Sequence, residues 1–147
     1  MTIVDTTVWI DYFAGTVNPH TDWLGRELTQ QRLGLTDLIL CEILHGIRQD
    51  LAFNRVLRVL SNFEVFDSGG GALAARTAQN YRALRAQGHT VRKTIDCIIA
   101  TFCLTQGHSL LHRDHDFDPF EKFLGLRVVH PQPLAHAVYK GDPPVDG

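Results

Sequence analysis

The sequence predicts an α/β protein with a mostly parallel sheet, and three observations carry that prediction. Short apolar stretches rich in β-branched residues alternate with longer stretches whose apolar residues fall at helical spacing. Glycines and capping residues punctuate the boundaries. A length of 147 residues suits one domain, and a chain of this size buries about 70% of the surface its unfolded form exposes.

The elements follow in order. Residues 2–8 read as a strand, because six of them (Thr2, Ile3, Val4, Thr6, Thr7 and Val8) are β-branched. Residues 9–13 form a short helix stopped by Gly15. Residues 20–31 form a helix with Trp23, Leu24 and Leu28 on one face, and residues 33–35 a short strand. Thr36 is the N-cap of a helix running to about Arg48. Residues 51–62 place Phe53, Val56, Leu57 and Leu60 at helical spacing. Residues 63–66 read as a strand. Ser68-Gly69-Gly70-Gly71 makes a turn into an alanine-rich helix over 72–87, ended by Gly88. Thr94 caps a buried helix over 95–106, closed by Gly107. Residues 109–112 are a strand, 119–124 a short helix and 127–130 a last strand. The tail, residues 131–147, holds four of the six prolines and is expected to be irregular. The domain is therefore assigned to residues 1–130.

Composition narrows the classes. The hydrophobic fraction of 44% and charged fraction of 20% are those of an ordinary globular chain. A net charge of −2 excludes a polycation, so any nucleic-acid surface must be local. No apolar run approaches the ~20 residues of a membrane span, and no signal peptide is visible. Cys41, Cys97 and Cys103 lack CxxC spacing and sit in apolar, helix-like segments. They read as reduced, buried small hydrophobes of a cytoplasmic protein.

Against this background the acids stand out. Asp5 ends the apolar opening, and Glu42 lies inside Leu38-Ile39-Leu40-Cys41-Glu42-Ile43-Leu44. Asp96 opens Asp96-Cys97-Ile98-Ile99-Ala100. Asp114 and Asp116 follow Leu110-Leu111. A carboxylate in apolar surroundings is costly unless paired, hydrogen-bonded or bound to metal. One shared divalent-cation site explains all four segments together, since Mg²⁺ and Mn²⁺ choose oxygen ligands. In a parallel sheet such a site lies beyond the carboxyl ends of the strands. Each acid also has an ordinary reading: Asp5 as a turn residue, Asp96 as a partner of its helix dipole, Asp114 and Asp116 as solvated loop charges. Glu42 is hardest to dismiss, because its helix is apolar on nearly every side and an unpaired buried Glu is rare.

No acid occurs between Asp67 and Asp96, a span that contains Arg76, Arg82, Arg85, Arg92 and Lys93. Arg82 and Arg85 share a helix face. A basic rim beside an acidic pocket suits a phosphodiester substrate, and a solvated helix face explains the same charges equally well. Arg113 adds charge next to Asp114. His112 and His115 flank that acid and read as surface or supporting residues more readily than as zinc ligands. His45 reads as a site contact or a satisfied core histidine, and Trp9, Tyr12 and Phe13 as core or a subunit contact.

These residues together resemble a known family. Val4-Asp5-Thr6-Thr7-Val8-Trp9-Ile10-Asp11 is similar to the opening of PIN-domain proteins of the VapC toxin type. Glu42 resembles their helix glutamate, and Asp96-Cys97-Ile98-Ile99-Ala100 and Asp114-His115-Asp116-Phe117 resemble their third and fourth motifs. The resemblance spans nearly the whole chain except the tail. It implies a three-layer α/β/α fold with a central, mostly parallel sheet. It further implies Mg²⁺- or Mn²⁺-dependent endoribonuclease activity on structured RNA such as tRNA, a homodimer, and a cognate antitoxin that binds it in a larger hetero-oligomer. Carried over by position, Asp5, Glu42, Asp96 and Asp114 are the acidic, metal-binding and catalytic set, with Asp116 as a second acid of the last motif. Arg82, Arg85, Arg92, Lys93 and Arg113 would hold RNA, and Thr6 would support the site. His112 departs from the pattern, since a small hydroxyl residue often stands two positions before the last-motif acid.

A rival reading is a non-catalytic acidic pocket that docks a basic partner segment. A receiver or phosphatase fits less well, because Lys93 is not placed as the distal lysine such a site wants.

Overall fold

The computed structural model describes residues 1–133. Four short strands form one parallel sheet: β1 (Thr2–Val4), β2 (Leu33–Thr36), β3 (Glu64–Phe66) and β4 (Ser109–Leu111), in the order β3-β2-β1-β4. Thr2 pairs with Leu33 on one side and with Ser109 on the other. β1 and β2 are fully buried, as strands covered on both faces must be.

Seven helices cover the sheet. α1 (Thr6–Phe13) packs on α2 (Pro19–Glu27) and on α3 (Asp37–His45), which packs on α4 (Asp50–Leu60), and α5 (Gly70–Ala86) packs on α6 (Thr94–Gln106) and on α7 (Asp118–Leu124). The two groups and the sheet make the expected three-layer α/β/α arrangement. The chain steps from β1 to β2 to β3, then crosses back to place β4 on the far side of β1. This creates a topological switch point between β1 and β4, where a parallel sheet opens a crevice at its carboxyl edge.

The core forms around Ile3, Val4, Leu35, Ile39, Leu60, Ile99, Leu110, Leu111 and Trp9, all fully buried. The Trp9 indole is fully buried, 5.2 Å from Phe63 and 5.9 Å from Phe13, which makes it part of the core; Tyr12 and Phe13 are half-buried against it. Gly34 is required where it stands: a Cβ there would meet the Glu64 carbonyl oxygen and the Phe66 ring, each at 3.0 Å.

Several boundaries differ from the sequence reading. β1 stops at Val4, because Asp5 accepts the Thr7 amide and caps α1; the β-branched run after it is helical. α2 begins at Pro19, capped by Asn18 in a reciprocal box with Thr21. Thr36 does cap α3, accepting from Ile39 N at 3.3 Å, but Gly46 ends that helix three residues before Arg48. Thr94 is inside α6 rather than its cap; Lys93 holds the cap position with no side-chain hydrogen bond. Gly107 closes α6 at φ +71°, as a left-handed cap needs. Residues 127–130 make only a single bridge, Leu110 to Val128, instead of a strand. Cys41 is exposed, contrary to the expectation for all three thiols, because it falls on the outer side of α3; Cys97 and Cys103 are buried. His45 is likewise exposed. Among the described residues no helix is long and apolar enough to cross a membrane. Most of the expected tail, residues 134–147, lies outside the described residues.

Candidate active site

Asp5 is the first residue past β1, at the switch point, and is 3% exposed. It holds its place through the helix it caps: Thr7 Oγ1 donates to Asp5 Oδ2 at 2.7 Å and the Thr7 amide donates to the same oxygen at 3.2 Å. Glu42 approaches from α3 and is half-buried rather than buried. Thr6 Oγ1 donates to Glu42 Oε1 at 2.9 Å. Asp96 lies in the first turn of α6 and is 6% exposed. Its Oδ2 is buried without a hydrogen-bond partner.

Asp114 follows β4 by three residues. It caps a 3₁₀ turn over His115–Phe117, accepting the Asp116 amide on Oδ1 at 2.9 Å. The turn brings Asp116 beside it: Asp96, Asp114 and Asp116 each offer a carboxylate oxygen within 4.8 Å of the others. Asp5, Asp114 and Glu42 all lie near enough to disfavour the charged form of Asp96, so five acids from four segments gather at this edge of the sheet.

The electrostatics record the strain of that arrangement. Burial pushes the Asp96 carboxyl up from 3.8 to about 7, with repulsion by Asp5 and Asp114 adding to it and Lys93 opposing it. Burial raises Asp5 to about 6, against the two Thr7 hydrogen bonds, which favour its charged form. Perturbed, partly unsatisfied carboxyls of this kind make the cluster a candidate functional site.

The predicted basic residues divide. Lys93 is brought close enough to act on Asp96. Arg82 is exposed and lines a separate cavity of about 340 Å³ between α5 and α6, with Tyr81, Thr94 and Cys97. Arg85 lies over the Tyr81 ring, 5.7 Å from its centre, and Arg92 is exposed. Arg113 is not a free cation at the pocket: its guanidinium pairs with Asp11 at 2.8 Å. His112 is buried, and its Nδ1 accepts the Asp114 amide at 3.1 Å. It thus orients the acid through its backbone, a task open to any side-chain acceptor at that position. His115 pairs with Asp118 at 2.9 Å.

Sequence reasoning missed Thr7, Asp11 and His20. Thr7 had a readable signal, since a hydroxyl two residues past Asp is a common capping pattern. The Asp11–Arg113 pair spans 102 positions and had none.

Comparison with known proteins agrees with this geometry. The family model described as PIN domain matches residues 2–122. A VapC ribonuclease, Mb1587, of Mycobacterium bovis is 30% identical over 131 residues, covering 88% of this chain and 98% of the relative. Ribonuclease VapC11 of Mycobacterium tuberculosis aligns with the same identity and coverage. Among solved structures, FitAcB from Neisseria gonorrhoeae superposes with a TM-score of 0.71 at 18% identity, covering 89% of this chain and 98% of the other. VapBC2 from Rickettsia felis, bound to a promoter DNA fragment, gives 0.70 at 14% identity, covering 87% and 96%. A parallel sheet with acids gathered at its switch point defines the class as a PIN-type domain. The chain belongs to the PIN domain family, and within it to the group of the VapC ribonucleases.

Proposed function

We propose that this chain is an endoribonuclease toxin that works with a divalent cation, Mg²⁺ or Mn²⁺, and is neutralised by a cognate antitoxin. The observation that supports it best is the gathering of Asp5, Glu42, Asp96 and Asp114 from four distant segments at one edge of the sheet. The relatives named as ribonucleases and the neighbours solved as toxin–antitoxin complexes support it from outside.

The residues present fit a hard cation. The donor set is all oxygen, Asp96 Oδ2 is buried without a partner, and the raised Asp5 and Asp96 carboxyls would be relieved by positive charge. Asp5, Asp96, Asp114 and Asp116 would hold it, with Glu42 completing the acidic set. Bound there, the cation supplies Lewis-acid polarisation of a phosphate oxygen and an acidified water. The chain's own residues do the rest. Thr7 and Thr6 fix the Asp5 and Glu42 carboxylates, and His112 fixes the turn that carries Asp114. Lys93, with Arg82, Arg85 and Arg92, holds the RNA backbone, and Arg113 can do so only by leaving Asp11.

RNA is read most easily where bases are unpaired, so the loops of a structured RNA such as tRNA are the favoured substrate. We assign the nuclease domain to residues 1–130 and the working state to a homodimer that joins a larger assembly with antitoxin. The exposed Cys41 thiol fits a reducing cytoplasm.

The test is cleavage of total cellular RNA by purified, partner-free protein in Mg²⁺, Mn²⁺ or EDTA, with Asp5→Ala and Asp96→Ala alongside. Discrete fragments that need metal and vanish in both variants support the reading. A folded, metal-binding wild type that cleaves nothing points to an acidic docking module instead.

A further inference from the structure

We propose that the cavity next to Asp114 is a nucleobase subsite, which takes one unpaired base of the RNA beside the scissile phosphate. This rests on the ribonuclease reading above. The cavity has a volume of about 420 Å³, inside the range of roughly 300–1,000 Å³ typical of small-ligand sites. His20, His112, Arg113, Val129 and His130 line it, and Asp114 is common to it and to the acidic cluster. An occupant therefore lies directly beside a phosphate held at the acids.

The wall has unused hydrogen-bonding capacity of a particular kind. The Asp114 amide donates to His112 Nδ1, which leaves Nε2 as the unengaged nitrogen of that ring. That Nε2, and Nδ1 of His20, are buried without partners. Orphaned buried groups of this sort are rare and costly. The other two imidazoles at this wall are matched: His130 pairs with Glu121 at 2.7 Å and His115 with Asp118 at 2.9 Å. Both orphaned nitrogens are buried, and both belong to rings of residues that line the cavity.

A base fits this chemistry better than a phosphate. The phosphate oxygens only accept, whereas a neutral imidazole supplies a donor or an acceptor according to its tautomer, and a base edge has both. Asp114 and Asp118 on the same wall repel an anion. Val128 and Val129 give an apolar floor, and flat imidazole and guanidinium groups are the surfaces on which unpaired RNA bases stack. Burial, and then the neighbouring Arg113, disfavour the charged form of the His20 ring.

The experiment has two arms on the full chain. In EDTA, amide shifts in labelled protein are followed on adding adenosine, guanosine, cytidine, uridine or inorganic phosphate. The expected result is saturable shifts at His20, Val128 and Val129 with at least one nucleoside and none with phosphate. In Mg²⁺, wild type, His20→Gln and His130→Ala cut a random-sequence RNA pool. The preference for one nucleotide beside the cut should fall by about tenfold in His20→Gln, the worth of one hydrogen bond; His130→Ala serves if His20→Gln does not fold. Shifts with phosphate alone, or with none of the probes, overturn the subsite. Cleavage with its nucleotide preference unchanged in folded variants overturns it while leaving the nuclease standing. Nucleoside binding without any RNA cleavage supports the cavity as a base site and removes the nuclease reading instead.

Discussion

The Thr7 hydroxyl donates to Asp5 Oδ2 at 2.7 Å and accepts the Arg113 amide at 3.1 Å, tying the end of β1 to the turn after β4. One side chain thus sets the distance between the two halves of the acidic pocket. The same turn is held a second time by Arg113, whose guanidinium reaches Asp11 on α1. Both links cross the switch point next to the backbone hydrogen bond from the Asp5 amide to the Leu111 carbonyl at 2.9 Å, at the carboxyl end of the β1–β4 pair.

Replacing Thr7 with Val keeps the shape and removes both hydrogen bonds. Outer partners of metal ligands are typically worth 10–100-fold in affinity or activity, so Thr7→Val should lose roughly that factor in Mn²⁺ affinity and in RNA cleavage. Thr7→Ser should recover most of it. Titration calorimetry with Mn²⁺ and single-turnover cleavage measure the two. Equal affinities for wild type and Thr7→Val would show that Asp5 is positioned without the hydroxyl.

The raised carboxyls set a pH dependence. Asp5 at about 6 and Asp96 at about 7 bind protons in the folded protein that the unfolded chain, at 3.8, has already released. Stability therefore falls as pH rises from about 4 to about 7, the reverse of an ion-paired carboxylate. Metal-free protein should melt at lower temperature near pH 8 than near pH 5. Metal binding displaces those protons, so Mn²⁺ affinity should rise over the same window. Thermal melts with EDTA and with Mn²⁺ at each pH decide both signs.

Gly34→Ala should destabilise the protein by about 1–3 kcal/mol, the usual cost of overpacking. The added methyl would press on the β3 backbone at Glu64 and on the Phe66 ring. Urea denaturation measures it, and an unchanged midpoint would mean that the β2–β3 contact yields easily.

How much of this was legible in the sequence follows from what each residue depends on. The α/β class, the four strand positions and the helix order are local, since periodicity and caps such as Thr36 reveal them. Asp5, Asp96 and Asp114 were legible because a charged residue at the end of an apolar run is conspicuous. Boundaries failed where a side chain overrode propensity: β-branched Thr6, Thr7 and Val8 are helical because Asp5 caps them. The pairing of Arg113 with Asp11 was not legible because Asp11 lies on α1, 102 positions away. The orphaned rings of His20 and His112 are visible only once residues 20 and 112 meet, which no local pattern announces.

Asp96→Asn separates stability from function most sharply. The wild-type carboxylate is buried with Oδ2 unpartnered and faces Asp5, Asp114 and Glu42. An amide of the same shape removes the repulsion and adds two donors within reach of those acids. In EDTA at pH 8 the variant should therefore melt above wild type, as active-site substitutions often do when function is held at a cost in stability. The same change removes a ligand, so the rise in melting temperature on adding Mn²⁺, large for wild type, should shrink or vanish, and RNA cleavage with it. A variant less stable than wild type without metal would mean that Asp96 contributes to the fold rather than straining it. A variant that kept its full metal-induced stabilisation would move the cation elsewhere among the acids, onto Asp5 and Glu42.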